Sequence, residues 1–296
     1  MELQSQVKQL RDRGLGLATI SYDPVETLAA FAKAHDITFP MLADVGSVTI
    51  KKFGLLNPAP EWALGPDKDD PEVQAEVRKY VSVVGVRDFM VGIAFPGTFI
   101  LDPQGRVKQR FFEDFYIERN TVSNLLIKLG DKTDAAVAGT KISTAHLDIT
   151  TYPSVSGIAP GDRFSVVADV EPHSKIHVYA PGAKGYRVIA LNLEPNPQVR
   201  ALPVEYPASE IYFFKPLNER VPVFQKPFRL MQEVVLDGTP QTQQALRGKD
   251  SVTVKGTLEC QACNDKECFN PVAVPLSWNL SLRPLIIQRP GQQQKQ

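Results

Sequence analysis

The chain has 296 residues, 43% of them hydrophobic, with 33 Lys+Arg against 33 Asp+Glu. At roughly 100–200 residues per domain this length suggests two domains. A net charge of +0 leaves no cationic excess to neutralise a phosphate backbone, which argues against a nucleic-acid partner, and no apolar run reaches the roughly 18 residues of a membrane-spanning helix.

Residues 1–132 read as alternating helix and strand. Met1 to Gln4 open polar and helical, with no charged-then-apolar leader; a mature exported protein would lack that leader too. Leu3, Val7 and Leu10 have helical spacing, and Gly14 ends the run. Leu15–Tyr22 reads as a strand buried on both faces. Asp23 and Pro24 read as an N-cap and first-turn proline for a helix that turns Leu28, Phe31 and Ala32 inward. An extended piece over Ile37–Leu42 and a helix over Val48–Phe53 follow. Residues 57–70, rich in Pro and Asp, read as loop. Asp70-Pro71 opens a helix striped by Val73, Val77, Tyr80, Val81 and Val84. Pro96–Leu101 and Arg106–Phe112 form a hairpin around the turn Asp102–Gly105. A helix over Asn120–Leu129 closes this α/β domain.

Residues 133–143 are small and polar and read as a linker. Beyond them, over 144–286, short strand-like runs recur without a helix: Phe164–Val170, Lys175–Tyr179, Arg187–Leu193, Phe228–Leu236, Val252–Cys260 and Val272–Leu282. That pattern indicates an all-β sandwich. In the last strand Val272, Val274, Leu276, Trp278, Leu280 and Leu282 alternate with small or polar residues, so one face is buried and the other wet. The polar tail, 287–296, reads as disordered.

The three cysteines, Cys260, Cys263 and Cys268, fall within nine residues. Such a cluster suggests local redox chemistry or a metal. Cys260 shares strand phase with Val252, Val254 and Leu258, which places it in the core as a small inert hydrophobe. Three thiols could also ligate zinc. A closed structural site needs a fourth ligand, and His35, His146, His173 and His177 are all distant in sequence.

The segment LGLATISYDPVETLAAFAKAHDITFPMLAD (15–44) and GIAFPGTFILDPQGRV (92–107) resemble the peroxiredoxin family, the alkyl hydroperoxide reductases and thiol-specific antioxidants, over about residues 2–130. This resemblance implies a thioredoxin-like fold and a cis-proline at Pro96. The family carries its reactive cysteine after a first core strand, and residues 1–259 hold no cysteine. As written, this half cannot reduce a peroxide or a disulfide with a thiol of its own. The expectation is that the family's first strand and its cysteine loop precede the present start; the alternative is a docking scaffold.

Gln261, Ala262, Cys263, Asp265, Cys268 and Pro271 match the Q-A-C-x-D-x-x-C-x-x-P pattern of the N-terminal domains of DsbD-type thiol:disulfide interchange proteins. IHVYAP (176–181) and VPVFQKPFRL (221–230) are similar to strands of the same family. The resemblance implies an immunoglobulin-like sandwich with a redox pair, Cys263–Cys268, in which Cys268 meets the partner and Cys263 resolves. It also implies a periplasmic or other extracytoplasmic location and thioredoxin-like partner proteins, with no cofactor. Lys266 would favour a thiolate, and Asp265 and Glu267 would oppose it. Tyr179, Phe213, Phe214 and Phe224 are candidates for an aromatic cover of the pair, with ordinary core as the alternative. Strands on both sides of the turn would bring the cysteine α-carbons within the required 4–7 Å or so. A loop this short stabilises by only about 2 kcal/mol, so the bond is poorly placed as a staple and well placed for exchange. A purely structural disulfide and a zinc-stabilised sandwich remain alternatives.

Overall fold

The computed structural model describes residues 2–81, 86–112, 118–130, 137, 139–214 and 218–283. The chain forms two compact units, one running to Val122 and the other spanning Ser123–Pro284.

The first unit contains α1 (Glu2–Asp12), β1 (Thr19–Ser21), α2 (Val25–Ala34), β2 (Met41–Ala43), α3 (Val48–Lys52), α4 (Ala59–Leu64), α5 (Pro71–Val81), a 3₁₀ turn (Asp88–Met90), β3 (Gly97–Leu101), β4 (Val107–Phe112) and β5 (Arg119–Asn120). β1 pairs in parallel with β2, and β3 pairs antiparallel with β4. Asp102 organises the β3–β4 turn. Its Oδ1 accepts from the backbone N–H groups of Gln104 and Arg106, and its Oδ2 accepts from Arg106 Nε at 2.8 Å. Gly105 supplies the positive φ of 77° that closes the turn. These hydrogen bonds, led by the Arg106 amide, hold the Asp102 carboxyl below its ordinary range.

Several expectations for this unit are corrected. The strand expected over 15–22 is three residues long, and it is not buried on both faces. Ile20 and its register partner Leu42 are each about half exposed, because β1 has only β2 as a ladder neighbour among the described residues. Asp23 does not cap α2. Its carboxylate accepts from Ser21 Oγ, and Pro24 occupies the cap position. Residues 59–64, expected as loop, are helical. Asn57 Oδ1 accepts from the Ala59 amide, and Pro58 sits at the N-cap and Pro60 in the first turn, where a missing N–H costs nothing. The Phe95–Pro96 peptide is trans, the form favoured by about 0.5–1 kcal/mol, with the Phe95 amide bonded to Leu55 O. Asp70 does cap α5, accepting from the amides of Glu72 and Val73. Val84, the side chains of Tyr80 and Val81, residues 133–136 and 138 of the expected linker, and the expected tail lie outside the described residues.

The second unit holds α6 (Val122–Lys128), β6 (Thr140–Ser143), β7 (Leu147–Pro153), β8 (Gly157–Ile158), β9 (Asp162–Pro172), β10 (His177–Tyr179), β11 (Ala190–Leu193), β12 (Val199–Glu205), β13 (Glu210–Phe214), β14 (Glu219–Phe224), β15 (Phe228–Leu236), α7 (Pro240–Leu246), β16 (Ser251–Cys260), β17 (Ala262–Cys263) and β18 (Val272–Leu282). One sheet runs β12–β15–β9–β7–β6, a second β11–β16–β18–β8, and a third β13–β14–β10–β17. Pairing within them is antiparallel except between β8 and β18. Phe164, Val166 and Leu230 from the first sheet meet Val254, Leu258, Leu276 and Trp278 from the second in one continuous core. The alternation expected in the last strand holds over its middle, where Val274, Leu276, Trp278 and Leu280 are buried and their neighbours exposed, and lapses at its ends, where Val272 is exposed and Leu282 half-buried. Trp278 satisfies its indole N–H on Thr151 Oγ1 at 2.9 Å.

Two further corrections follow. The half expected to lack helices contains α7, started by Thr239, whose side chain accepts from the Thr242 amide, and by Pro240. The linker expected to end at 143 becomes strand over its last four residues, which pair with β7 from Thr140↔Thr151 to Ser143↔Asp148.

Trp278→Ala is predicted to cost about 3–5 kcal/mol by removing a buried side chain. Ser277→Ala, on the exposed face of the same strand, should stay within about 0.5 kcal/mol of the parent. Urea unfolding of the two variants checks the assigned strand phase; equal losses would contradict it.

Candidate functional site: a half-buried disulfide on a tight turn

The third sheet is built on β10, a strand with two different faces. Ile176, Val178 and Ala180 point into the main core. His177 and Tyr179, one residue out of phase, belong to the opposite face. There Tyr179 packs with Val221, Val223 and Cys263, edged by Ala183, Tyr186 and Tyr212. β17 pairs antiparallel with β10, placing Cys263 opposite His177 and Ala262 opposite Val178.

Cys263 and Cys268 are joined as a disulfide with α-carbons 4.0 Å apart. They face each other as an antiparallel bridge across the turn. Asn264, which the cysteine spacing alone does not mark, builds that turn. Its Oδ1 accepts from the amides of Lys266 and Glu267, both at 2.8 Å, while its own amide donates to Glu267 O. Beyond Cys268, the Phe269 amide donates to Ala262 O, and Gln261 Nε2 donates to Phe269 O. His146 stacks on Phe269 at 3.9 Å, beside a shallow apolar cleft of about 290 Å³ lined in part by Leu147, Ala262 and Val272.

The two sulfurs differ in environment. Cys263 is 1% exposed, whereas Cys268 is exposed, as are Asp265 and Lys266. Burial disfavours a charged thiolate at the first position, and exposure admits a partner at the second. Cys260 is fully buried and unbonded in the main core, as its strand phase indicates, and burial pushes its thiol up to about 11.

The expected aromatic cover is partly corrected. Tyr179 is in place, its hydroxyl 3.4 Å from Cys268 Sγ. Phe214 shares the Tyr212 face of β13, their ring centroids 6.5 Å apart. Phe213 does not share it: strand alternation turns it outward, 41% exposed, beneath the Arg220 guanidinium. Phe224 is ordinary core, stacked on Phe228. Pro96 belongs to the first unit. The site's missed members are His177, Tyr186, Tyr212 and Glu219. Tyr186 stacks on Tyr179 at 4.0 Å and donates its hydroxyl to Glu219 Oε2 at 2.6 Å. His177 lies 4.5 Å from the Tyr212 ring, and burial lowers its pKa. Burial, followed by the nearby Tyr186 hydroxyl, raises the Tyr179 phenol. Its hydrogen bond to Glu219, ahead of burial, raises that of Tyr186. The period-2 spacing of His177 and Tyr179 was the available signal for His177; Tyr186 and Glu219 come from a loop and a distant strand. Among the described residues no group of three or more His, Cys, Asp or Glu is placed to hold a metal.

This arrangement can open and close one disulfide at an exposed sulfur, against a neutral aromatic wall. A family model matches the first of the two resemblances that the sequence carries. Residues 1–110 match the AhpC/TSA family, so the first unit carries a redoxin-family domain. The N-terminal periplasmic domain of ScsB from Proteus mirabilis is structurally similar at 12% identity and a TM-score of 0.35, covering 49% of this chain and 51% of that one. The chain thus spans about half the length of that ScsB structure. The reduced N-terminal domain of DsbD from Neisseria meningitidis is similar at 14% identity and a TM-score of 0.27, over 40% of this chain and 76% of that one. No curated protein matches the chain.

Brief iodoacetamide treatment of the reduced protein at pH 8 is predicted to label Cys268 and leave Cys260 unlabelled, since a buried thiol pushed up to about 11 holds almost no thiolate there. Peptide mass spectrometry reads the sites; equal labelling of both would contradict the assigned burial.

Proposed function

We propose that the chain is a thiol-disulfide redox protein in which a redoxin-family scaffold is joined to an electron-relay domain working through Cys263 and Cys268. The relay domain is read as an immunoglobulin-like sandwich, and its partners as thioredoxin-like proteins outside the cytoplasm, where disulfides persist. The observation that carries this reading is the pairing of one buried and one exposed sulfur in a five-residue separation on a surface turn. A bond across so short a loop contributes about 2 kcal/mol to stability, little for a staple.

Exchange would proceed through a mixed disulfide. A partner thiolate attacks the sulfur of Cys268, and the Cys263 sulfur leaves with the bonding electron pair. The partner's second thiolate then attacks its own sulfur in the mixed disulfide and releases Cys268 as a thiolate. Two electrons pass from the partner dithiol to the pair, and two protons complete the thiols. The AhpC/TSA domain supports a redox setting, although residues 1–259 contribute no thiol.

Equilibration with glutathione and dithiothreitol couples, read by non-reducing mass spectrometry, tests the reading. A potential above about −300 mV is expected; one well below it marks a structural bond. Replacing both Cys263 and Cys268 by serine should abolish exchange with a reduced thioredoxin-like protein. Undiminished exchange in that variant would overturn the proposal.

A further inference from the structure

The sulfur of Cys268 has one polar side-chain neighbour identified in the structure, the Tyr179 hydroxyl at 3.4 Å. That hydroxyl is not loosely held. The Tyr179 ring is 4% exposed and stacks on Tyr186 at 4.0 Å with the planes 17° apart. Tyr186, on the loop after β10, is tied to Glu219 at the start of β14 by a 2.6 Å hydrogen bond. A carboxylate only accepts, so the Tyr186 hydroxyl is fixed as the donor in that bond. The Tyr179 and Tyr186 hydroxyls also hydrogen-bond each other, so a line of contacts runs from Glu219 through the two stacked phenols to the Cys268 sulfur.

We propose that Tyr179 is a catalytic hydrogen-bond donor to the Cys268 thiolate, and that Tyr186 and Glu219 are positioning residues that hold it there. The inference rests on the exchange reaction proposed above and assigns the groups that control its exposed sulfur. When the mixed disulfide is resolved, the bond between Cys268 and the partner sulfur breaks, and Cys268 keeps the electron pair. The Tyr179 O–H then donates to that new anion, while the partner closes its own disulfide. In the reverse direction the same hydrogen bond steadies Cys268 as the attacking thiolate. A phenol suits this role because burial keeps its own proton in place. The other charged or titratable groups on the described surrounding elements are His177 on β10, Lys184 and Arg187 on the loop that carries Tyr186, Glu210 and Tyr212 on β13, Arg220 on β14, and Asp265, Lys266 and Glu267 on the turn. They are unchanged in the variants below and form a constant background.

The test is the pH profile of Cys268 alkylation in the reduced full-length protein, with iodoacetamide as the probe and the Cys268 peptide read by mass spectrometry. Loss of a hydrogen bond to a charged group should move the midpoint of Tyr179→Phe upward by about one pH unit, a tenfold loss of thiolate at fixed pH below it. Tyr186→Phe keeps the stacked ring but loses the tie to Glu219, and should shift the midpoint in the same direction by less. Glu219→Leu should match Tyr186→Phe, and Glu219→Gln, which keeps an acceptor for the Tyr186 hydroxyl, should restore most of the parent profile. The Tyr179→Phe/Glu219→Leu double variant should shift no further than Tyr179→Phe alone, because Glu219 acts only through that hydroxyl. Circular dichroism of each variant checks the fold. An unmoved midpoint in folded Tyr179→Phe would overturn the donor role. A shift in Tyr179→Phe with none in Tyr186→Phe or Glu219→Leu would overturn the positioning roles. These outcomes differ from failure of the exchange reaction itself, in which the parent protein would not pass electrons to or from any dithiol couple.

Discussion

The pairing of β17 with β10 is the contact on which the site depends. It is a ladder of two register pairs, His177↔Cys263 and Val178↔Ala262. Because side chains alternate along a strand, this register puts the Ala262 methyl into the main core and the Cys263 sulfur among Tyr179, Val221 and Val223. A slip of one residue would exchange the two. One cysteine is thereby buried while its partner, at the far end of the Asn264 turn, stays exposed. Low dielectric around one sulfur and access to the other give the disulfide a direction, a property that neither cysteine has alone.

The main core supplies the rigidity behind that ladder. β10 lies against β14 with Val178 opposite Phe224 and Tyr179 opposite Val223. The side chains on its inner face are buried with Trp278, Leu258 and Leu276. The aromatic wall therefore stands on a packed sheet, although the cysteine turn itself is exposed. A site held on strands is positioned more tightly than one held on loops alone. The loop carrying Tyr186 is pinned at both ends of that side chain: by the stack on Tyr179 and by the hydrogen bond to Glu219.

Much of this was legible in the sequence, for identifiable reasons. The cysteine spacing, the alternation from Val274 to Leu280 and the Asp102–Gly105 turn are local patterns, and local patterns survive folding. Cys260 could be placed in the core from strand phase alone. What escaped was non-local or ambiguous. Tyr186 and Glu219 are 33 residues apart and meet only because β14 returns beside β10. Prolines at 58 and 60 read as loop markers but occupy the N-cap and the first turn of α4, where they fit as well. Phe213 and Phe214 are adjacent, so composition could not say which one faces the site; the β13–β14 register decides it by placing Phe213 opposite Arg220.

The first unit and the second bring different things to the chain. The AhpC/TSA domain brings a redoxin scaffold over residues 1–110, and all three cysteines lie in the second unit. The electron-carrying role proposed for the chain therefore turns on which sulfur a partner reaches first. Glutathione is a small probe of that choice. The oxidised protein is exposed to it briefly, quenched in acid, and the mixed disulfide is located by peptide mass spectrometry. The predicted result is glutathione on Cys268 with Cys263 released as a free thiol. Glutathione on Cys263, or an even division between the two, would contradict the proposed direction of exchange.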